Sequence, residues 1–409
     1  MHDNWDYKGI HKTGVHTLGK YPAMMVPKMQ LDLLKKFGNL SSNTIMLDPF
    51  MGSGTAIVEA QRLNMSSIGI DINPYAVLLA KVKTHSYESK SLSKNIKYFL
   101  EKLYNKDFLK PIWYFTKISK WFRTDIIESL SHIRNAILSE QDIWIRRFLW
   151  ICMSEIIYNY SNDRSSTFKL HIKTKDKIEQ IKNNVLEDFR LIVLKKYKLL
   201  NTDQSLKKAE IYLGNTKSVC SSLPNESVDI ICTSPPYGDN ATTVTYGQAS
   251  ILFLKWIDLK DISLNDNSYL IEKYTTIDRL SLGGRKVETD NYTSKLYNDY
   301  LGSIGDKKRP KVINFINDYW KVIQHLSRII KANGVVIFTV GNRRVDGKEQ
   351  PLDKITCEMF SKCGLSCIYN SSREISDKRM PTRLSHINKI GAVKSMTKEK
   401  VLVFKRKIS

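Results

Sequence analysis

"TIMLDPFMGSGTAIVEAQRLNMSSIGIDI", residues 44–72, is the stretch whose reading decides the fold. Its opening, as far as Leu47 and Asp48, is an apolar run without polar alternation, as expected of a strand buried on both faces. Gly52 and Gly54 then break the chain, and "AIVEAQRLN" follows with the spacing of an amphipathic helix. "SSIGIDI" restores a strand, and Pro74 opens a further helix, "PYAVLLAKVK", at a first-turn position. Strand, glycine turn, helix and strand within about 30 residues predict a parallel pair joined by a right-handed crossover.

Outward from this unit, the alternation resumes at "AEIYLGNT" (209–216) and "VDIICTSPPY" (228–237). It continues with a helix over 312–334, a strand over 335–342, a helix over 352–364 and strands over 365–375 and 400–407. Residues 86–205 have a different texture, rich in Lys, almost without Gly, and helical in periodicity. They read as a helical insertion between the second and third strands of one α/β domain made of residues 1–85 and 206–409. The tract 257–310 is polar and irregular, and a structureless tract of that length in a compact domain is usually functional.

Lys and Arg number 64 against 41 Asp and Glu, a net charge of +23, which favours a polyanionic partner, nucleic acid above all. The N-terminus "MHDNWDYKGIHKTG" is too polar for a signal peptide, and no apolar run reaches the length of a membrane span. The six cysteines lack metal-ligand spacing, so no metal site is expected and reduced thiols in the cytoplasm are the simple reading.

The glycine turn lets a ligand approach the backbone beside the free N–H groups of a helix N-terminus. Asp71, at the tip of the next strand, can accept from both hydroxyls of a ribose. Taken singly, the turn can serve packing and Asp71 can cap a helix. Together they point to a nucleoside cofactor. No Lys-Ser/Thr pair follows the glycines, and the loop is shorter than G-x-G-x-x-G, so adenosine without phosphate fits best. A second feature is the kink after Cys232, where "TSPPY" ends a buried strand in two donor-free prolines and an aromatic ring.

With "DPFMGSGT" and "TSPPY" on one basic chain, the sequence resembles the amino-methyltransferases of DNA, which use S-adenosyl-L-methionine. The resemblance covers residues 14–84 and 209–409, with "HTLGKYPAMMVP" (16–27) similar to the family's segment over the methionine end of the cofactor. It implies an α/β fold with a seven-stranded Rossmann-like sheet, order 3-2-1-4-5-7-6, strand 7 antiparallel. The glycine motif precedes the catalytic motif here, unlike in circularly permuted members that share D-P-F-x-G-S-G-T. By resemblance the cofactor residues are Tyr21, Pro22, Ala23, Asp48, Pro49, Phe50, Gly52, Gly54, Thr55, Asp71, Ile72, Asn73, Asn215 and Thr233. The catalytic residues are Ser234, Pro235, Pro236 and Tyr237.

The implied reaction is direct methyl transfer to the exocyclic amine of a base flipped out of double-stranded DNA. Tyr237 would stack on the base, while the Ser234 hydroxyl and a carbonyl of Ser234 or Pro235 accept from the amine and aim its lone pair. In the family, Ser before Pro-Pro-Tyr goes with cytosine N4 and an acidic residue or Asn with adenine N6. Ser234 therefore favours cytosine and leaves adenine, an RNA base or an inactive DNA-binding protein as alternatives. Arg164, Lys169, Asp239, Arg285 and Lys286 are candidates for contact with DNA, and a restriction endonuclease is the expected functional partner. Asp239 is equally suited to a helix cap or to pairing with an arginine on the rim.

Overall fold

The computed structural model describes residues 5–164, 169–239, 243–262, 265–284, 291–375, 383–387, 391–394 and 397–406. Its central sheet has seven strands: β1 (Ile45–Asp48), β2 (Ser66–Asp71), β3 (Ala209–Leu213), β4 (Val228–Thr233), β5 (Ile330–Val340), β6 (Leu365–Glu374) and β7 (Lys398–Arg406). They lie in the order β6-β7-β5-β4-β1-β2-β3, with β7 antiparallel to both neighbours and the other described pairs parallel. This is the order that the resemblance implies. It brings the C-terminal tips of β1, β2 and β4 together with the first residues of β7.

The helices that matter here are α1 (Pro27–Phe37), α2 (Thr55–Arg62), α3 (Pro74–Lys83), α4 (Ser89–Lys102), α5 (Thr124–Ser139), α6 (Ile143–Tyr160), α7 (Val185–Lys196), α8 (Thr216–Ser222), α9 (Tyr246–Leu254), α10 (Lys295–Ser303), α11 (Arg309–Ile329) and α12 (Leu352–Lys362). Period-two alternation divides the sheet into two buried faces. Val335, Ile337, Val401 and Val403 pack toward α1, α2 and the inner side of α3. Val336, Phe338, Leu402 and Phe404 pack toward α11 and α12.

Helices α4 to α7 lie between β2 and β3 in the chain. Their core is continuous with the outer side of α3, through Tyr75, Leu78, Leu79 and Val82, and with Leu252 and Phe253 of α9. The helix α3 is thus apolar on both sides because it is covered twice, by the sheet and by α6.

Two expectations fail locally. The helix expected over 312–334 stops at Ile329, because Ile330 is extended (φ −72°, ψ 132°) and pairs with Val228 in the sheet. The Lys-Ala-Asn-Gly run at 331–334, which reads as a helix end, lies in an irregular part of β5 with exposed centre. The tract 257–310 is more ordered than its composition suggests. Short helices at Leu259–Ile262 and Thr276–Leu280, and the longer α10, occupy much of its described part. They are too short for periodicity to reveal. No helix among the described residues is long and apolar enough to cross a membrane.

Candidate active site

A cleft of about 2080 Å³ opens over the tips of β1, β2 and β4. Ordinary small-ligand pockets run to roughly 1,000 Å³ at most, so this one has room for a cofactor and a nucleotide together.

One wall is the glycine turn. Gly52 has φ +50° and Gly54 φ +78°, both in the left-handed region that glycine alone enters freely. A Cβ on Gly54 would lie 2.9 Å from the Cβ of Ala80, so the turn also needs glycine to seat on α3. Three contacts hold it: Met51 N donates to Ile70 O (3.1 Å), Gly52 N to Asp71 Oδ2 (2.9 Å), and Lys83 Nζ to Ser53 O (2.8 Å). Lys83 is fully buried, and burial draws its ammonium down to about 7.

Asp71 faces the cleft while its Oδ1 also accepts from Asn73 N (2.8 Å). Burial raises its carboxyl to about 6 against the opposing pull of these backbone donors. Asp48 lies beneath the floor, fully buried and pushed up to about 7 by burial. Its Oδ1 accepts from Thr233 Oγ1 (2.6 Å) and Phe50 N (3.1 Å), and its Oδ2 has no protein donor.

The segment 16–27, read from the resemblance as covering the methionine end, borders the cleft beside the glycine turn. His16 is held against Glu59 of α2 (2.6 Å), and Lys196 of α7 donates to Leu18 O (2.7 Å). Tyr21 then stacks on Tyr246 with centroids 5.6 Å apart and contacts the Gly52 turn. Tyr21, Pro22, Ala23, Pro49, Phe50, Gly52, Thr55, Asp71, Ile72, Asn73 and Asn215 all line the cleft.

Three residues expected to contact the cofactor do not line the cleft: Asp48, Gly54 and Thr233. Asp48 and Thr233 bind each other across β1 and β4 and set the tips of those strands, and Gly54 faces α3. Two others line it with their side chains already engaged. Asn73 caps α3 through Tyr75 N (3.0 Å) and donates to Ser250 Oγ (2.9 Å) and Tyr246 O (3.1 Å). Asn215 caps α8 through Lys217 N (3.0 Å) and donates to Leu280 O (3.2 Å).

The second wall is the kink. Ser234 Oγ and Tyr237 Oη are 3.0 Å apart, and Tyr237 donates to Glu399 Oε1 (2.9 Å). Glu399 is the second residue of β7, and its Oε2 lies 3.5 Å from Arg373 Nε on β6, a buried ion contact. Burial first, and Glu399 second, hold the Tyr237 phenol well above the ordinary tyrosine range. Asp239 resolves as the partner of an arginine: its Oδ2 lies 3.3 Å from Arg343 NH1. A Cβ on Gly238 would collide with that guanidinium.

Sequence reading missed Glu399, Arg373, Arg343 and Lys83. Their one signal is charge where apolar residues belong, as in "KEKVLVF", where Glu399 opens a buried strand. On the rim, Lys169 lines the cleft, and Arg164 is exposed beside it where Arg164 N donates to His171 O (2.7 Å). Arg285 and Lys286 lie outside the described residues.

The sequence of the whole chain matches known proteins. A Kocuria varians protein named type II methyltransferase M.MvaI is 31% identical over all of this chain and 96% of its own length. The chain belongs to the N4/N6 DNA methylases. A family model described as DNA methylase matches residues 1–82 of this methylase. Type II methyltransferase M.BsoBI of Geobacillus stearothermophilus is 23% identical over 88% of the chain and 81% of its own length. M.MjaII of Methanocaldococcus jannaschii is 38% identical, over 24% of the chain and 18% of its own length. As a DNA methylase it acts on DNA with S-adenosyl-L-methionine as methyl donor. The residues present fit that group: the turn opens at Gly52, the Asp71 carboxylate suits a ribose, and Phe50 and Ile72 offer apolar surface to a purine.

Proposed function

We infer that the methylase modifies the exocyclic N4 amine of cytosine in duplex DNA, as the protecting half of a restriction-modification pair. The observation that carries this reading is Ser234. It places a neutral hydroxyl, 3.0 Å from Tyr237 Oη, where the adenine-specific members of the family that the sequence resembles carry a carboxylate or an amide. The pairing with an endonuclease rests on the relatives, which are named type II methyltransferases.

When bound, S-adenosyl-L-methionine supplies an electrophilic methyl on a sulfonium. The chain supplies position. Gly52 leaves the turn open at the cofactor, and Asp71 accepts from the ribose while its backbone donors keep its orientation. Phe50, Ile72 and Asn215 border the base of the cofactor, and Tyr21, Pro22 and Ala23 cover its other end. The Pro235–Pro236 pair fixes the direction of the Ser234 carbonyl, which accepts one amine proton while Ser234 Oγ accepts the other. Orienting the lone pair in this way is the chain's main contribution to rate. The ring of Tyr237, partly buried at the wall of the cleft, stacks on the flipped base.

Basic side chains stand on both lips of the cleft. Lys12, Lys20 and Lys169 lie on the lip formed by the N-terminal segment and the end of α6, and Lys308, Lys311 and Arg344 on the lip formed by α11 and the hairpin of residues 344–349. Phosphates on either side of the flipped nucleotide would meet these two lips, and base reading would fall to the tracts that border them, within 86–205 and 257–310.

One experiment tests the reading. Unmethylated duplex DNA is incubated with the protein and labelled cofactor, digested to nucleosides, and analysed for the labelled product. N4-methylcytosine is expected. N6-methyladenine would show that Ser234 does not set the base.

A further inference from the structure

The stretch from the lip to β7 holds three oxygen atoms in line. Ser234 Oγ lies 3.0 Å from Tyr237 Oη, and Tyr237 Oη lies 2.9 Å from Glu399 Oε1. A carboxylate only accepts, so the phenol proton is committed to Glu399. The Ser234 hydroxyl must then donate to Tyr237 Oη, which leaves the lone pairs of Ser234 facing the cleft. The hydrogen bonds along this row, with one from a target amine to Ser234 added, therefore run in one direction, from the cleft to Glu399.

We propose that Glu399 receives the proton lost by the methylated amine, relayed through the hydroxyls of Ser234 and Tyr237. The inference rests on the reading of the lip as the amine site. As the N–C bond forms and the C–S bond breaks, the positive charge of the sulfonium passes to the amine nitrogen. That nitrogen gives one proton to Ser234 Oγ, Ser234 gives its own to Tyr237 Oη, and Tyr237 gives its own to Glu399. The end state is a neutral methylamine, neutral Ser234, neutral Tyr237 and a protonated Glu399, which matches the charge lost by the cofactor. Glu399 borders the same cleft, and in this relay it acts through Tyr237, which makes it a positioning residue.

The surroundings suit this role. Glu399 faces the Arg373 guanidinium across the β6–β7 pair, Tyr237 from the lip and the phenol of Tyr246 from α9. Arg373 is itself buried, with its NH1 against the Met29 sulfur of α1. A buried carboxylate and guanidinium are costly to place in a sheet, and a purely structural need would be met by apolar residues.

The test compares wild type with Glu399→Gln, Tyr237→Phe and the double variant. Gln still accepts from Tyr237 but takes no proton, and Phe keeps the stacking ring. Single-turnover methyl transfer should fall about 10²-fold in each single variant, the usual weight of one proton transfer, and the double variant should be no slower. At saturating cofactor the wild-type rate should show an acid-side ionisation that both variants lack, apart from any that Asp71 contributes to all of them alike. A second readout needs no cofactor: the Tyr237 phenol, assigned by its loss in Tyr237→Phe, should titrate nearer the ordinary tyrosine range in Glu399→Gln. Wild-type rate and pH profile in Glu399→Gln would overturn the relay. If that variant does not fold, Tyr237→Phe decides alone, since it leaves Glu399 and Arg373 in place, and a wild-type rate there overturns it too. The base assigned above stands or falls separately, on the nucleoside that the wild type produces.

Discussion

Asp48 joins β1 to β4 through Thr233, and its carboxyl is raised to about 7 by burial. The folded chain therefore holds this proton to a higher pH than the unfolded chain, whose carboxyl releases it near 3.8. Stability from this group is greatest in acid and is lost as pH rises from about 4 to 7. Asp48→Asn keeps acceptors for Thr233 and Phe50 and cannot ionise. Urea unfolding should show the variant gaining on wild type between pH 5 and pH 8; an unchanged difference would mean that Asp48 is not the titrating group. Gly54→Ala places a methyl both at φ +78° and 2.9 Å from Ala80, and should cost about 1–3 kcal/mol in the same assay. Tyr237→Ala removes the ring proposed to stack on the base and leaves the glycine turn intact. It should lose about 10²-fold or more in turnover while calorimetry finds cofactor affinity close to wild type; near-normal turnover would remove the stacking role.

At the scale of elements, the strands were legible because parallel strands covered on both faces carry unbroken apolar runs, as in "TIMLD" and "VDIICT". The glycine turn was legible because its backbone admits few other residues. The functions of single polar side chains were less so. Asp48, Asn73 and Asn215 read as ligands from sequence, and each also ties one element to another, Asn73 and Asn215 from the wall of the cleft and Asp48 from beneath it. Composition cannot separate a buried polar group that binds a ligand from one that binds its own chain. Asn73 illustrates the consequence: it caps α3 and also anchors α9 through Ser250 and Tyr246. Asn73→Ala should therefore cost about 1–3 kcal/mol of stability and weaken cofactor binding indirectly, through the stacked pair Tyr21 and Tyr246. Restoring stability at another site without restoring affinity would argue instead for a direct contact. Glu399 was invisible for a different reason: it lies 162 residues from Tyr237, and only the sheet order brings β7 beside β4's neighbour β5.

For the whole molecule, the net charge of +23 favours a polyanionic partner, and lysines stand on both lips of the cleft. Duplex binding should weaken steeply with salt. Replacing Lys308 and Lys311 together by Ala should flatten the slope of log affinity against log salt by about 2, one per lost phosphate contact. Fluorescence anisotropy between 50 and 200 mM salt measures it, and an unchanged slope would place the DNA elsewhere. These concentrations are about those over which such interfaces lose most of their affinity.

The double covering of α3 bears on how such a chain can be re-engineered. Because Leu78, Leu79 and Val82 serve the core of the 86–205 region while Val77 and Ala80 serve the sheet, that region is no plug-in module. A chimera that exchanged it for a relative's counterpart would inherit a mismatched seam along α3 and α9. New target preferences are more accessible by grafting the loops at the rim, residue by residue, onto a seam left intact.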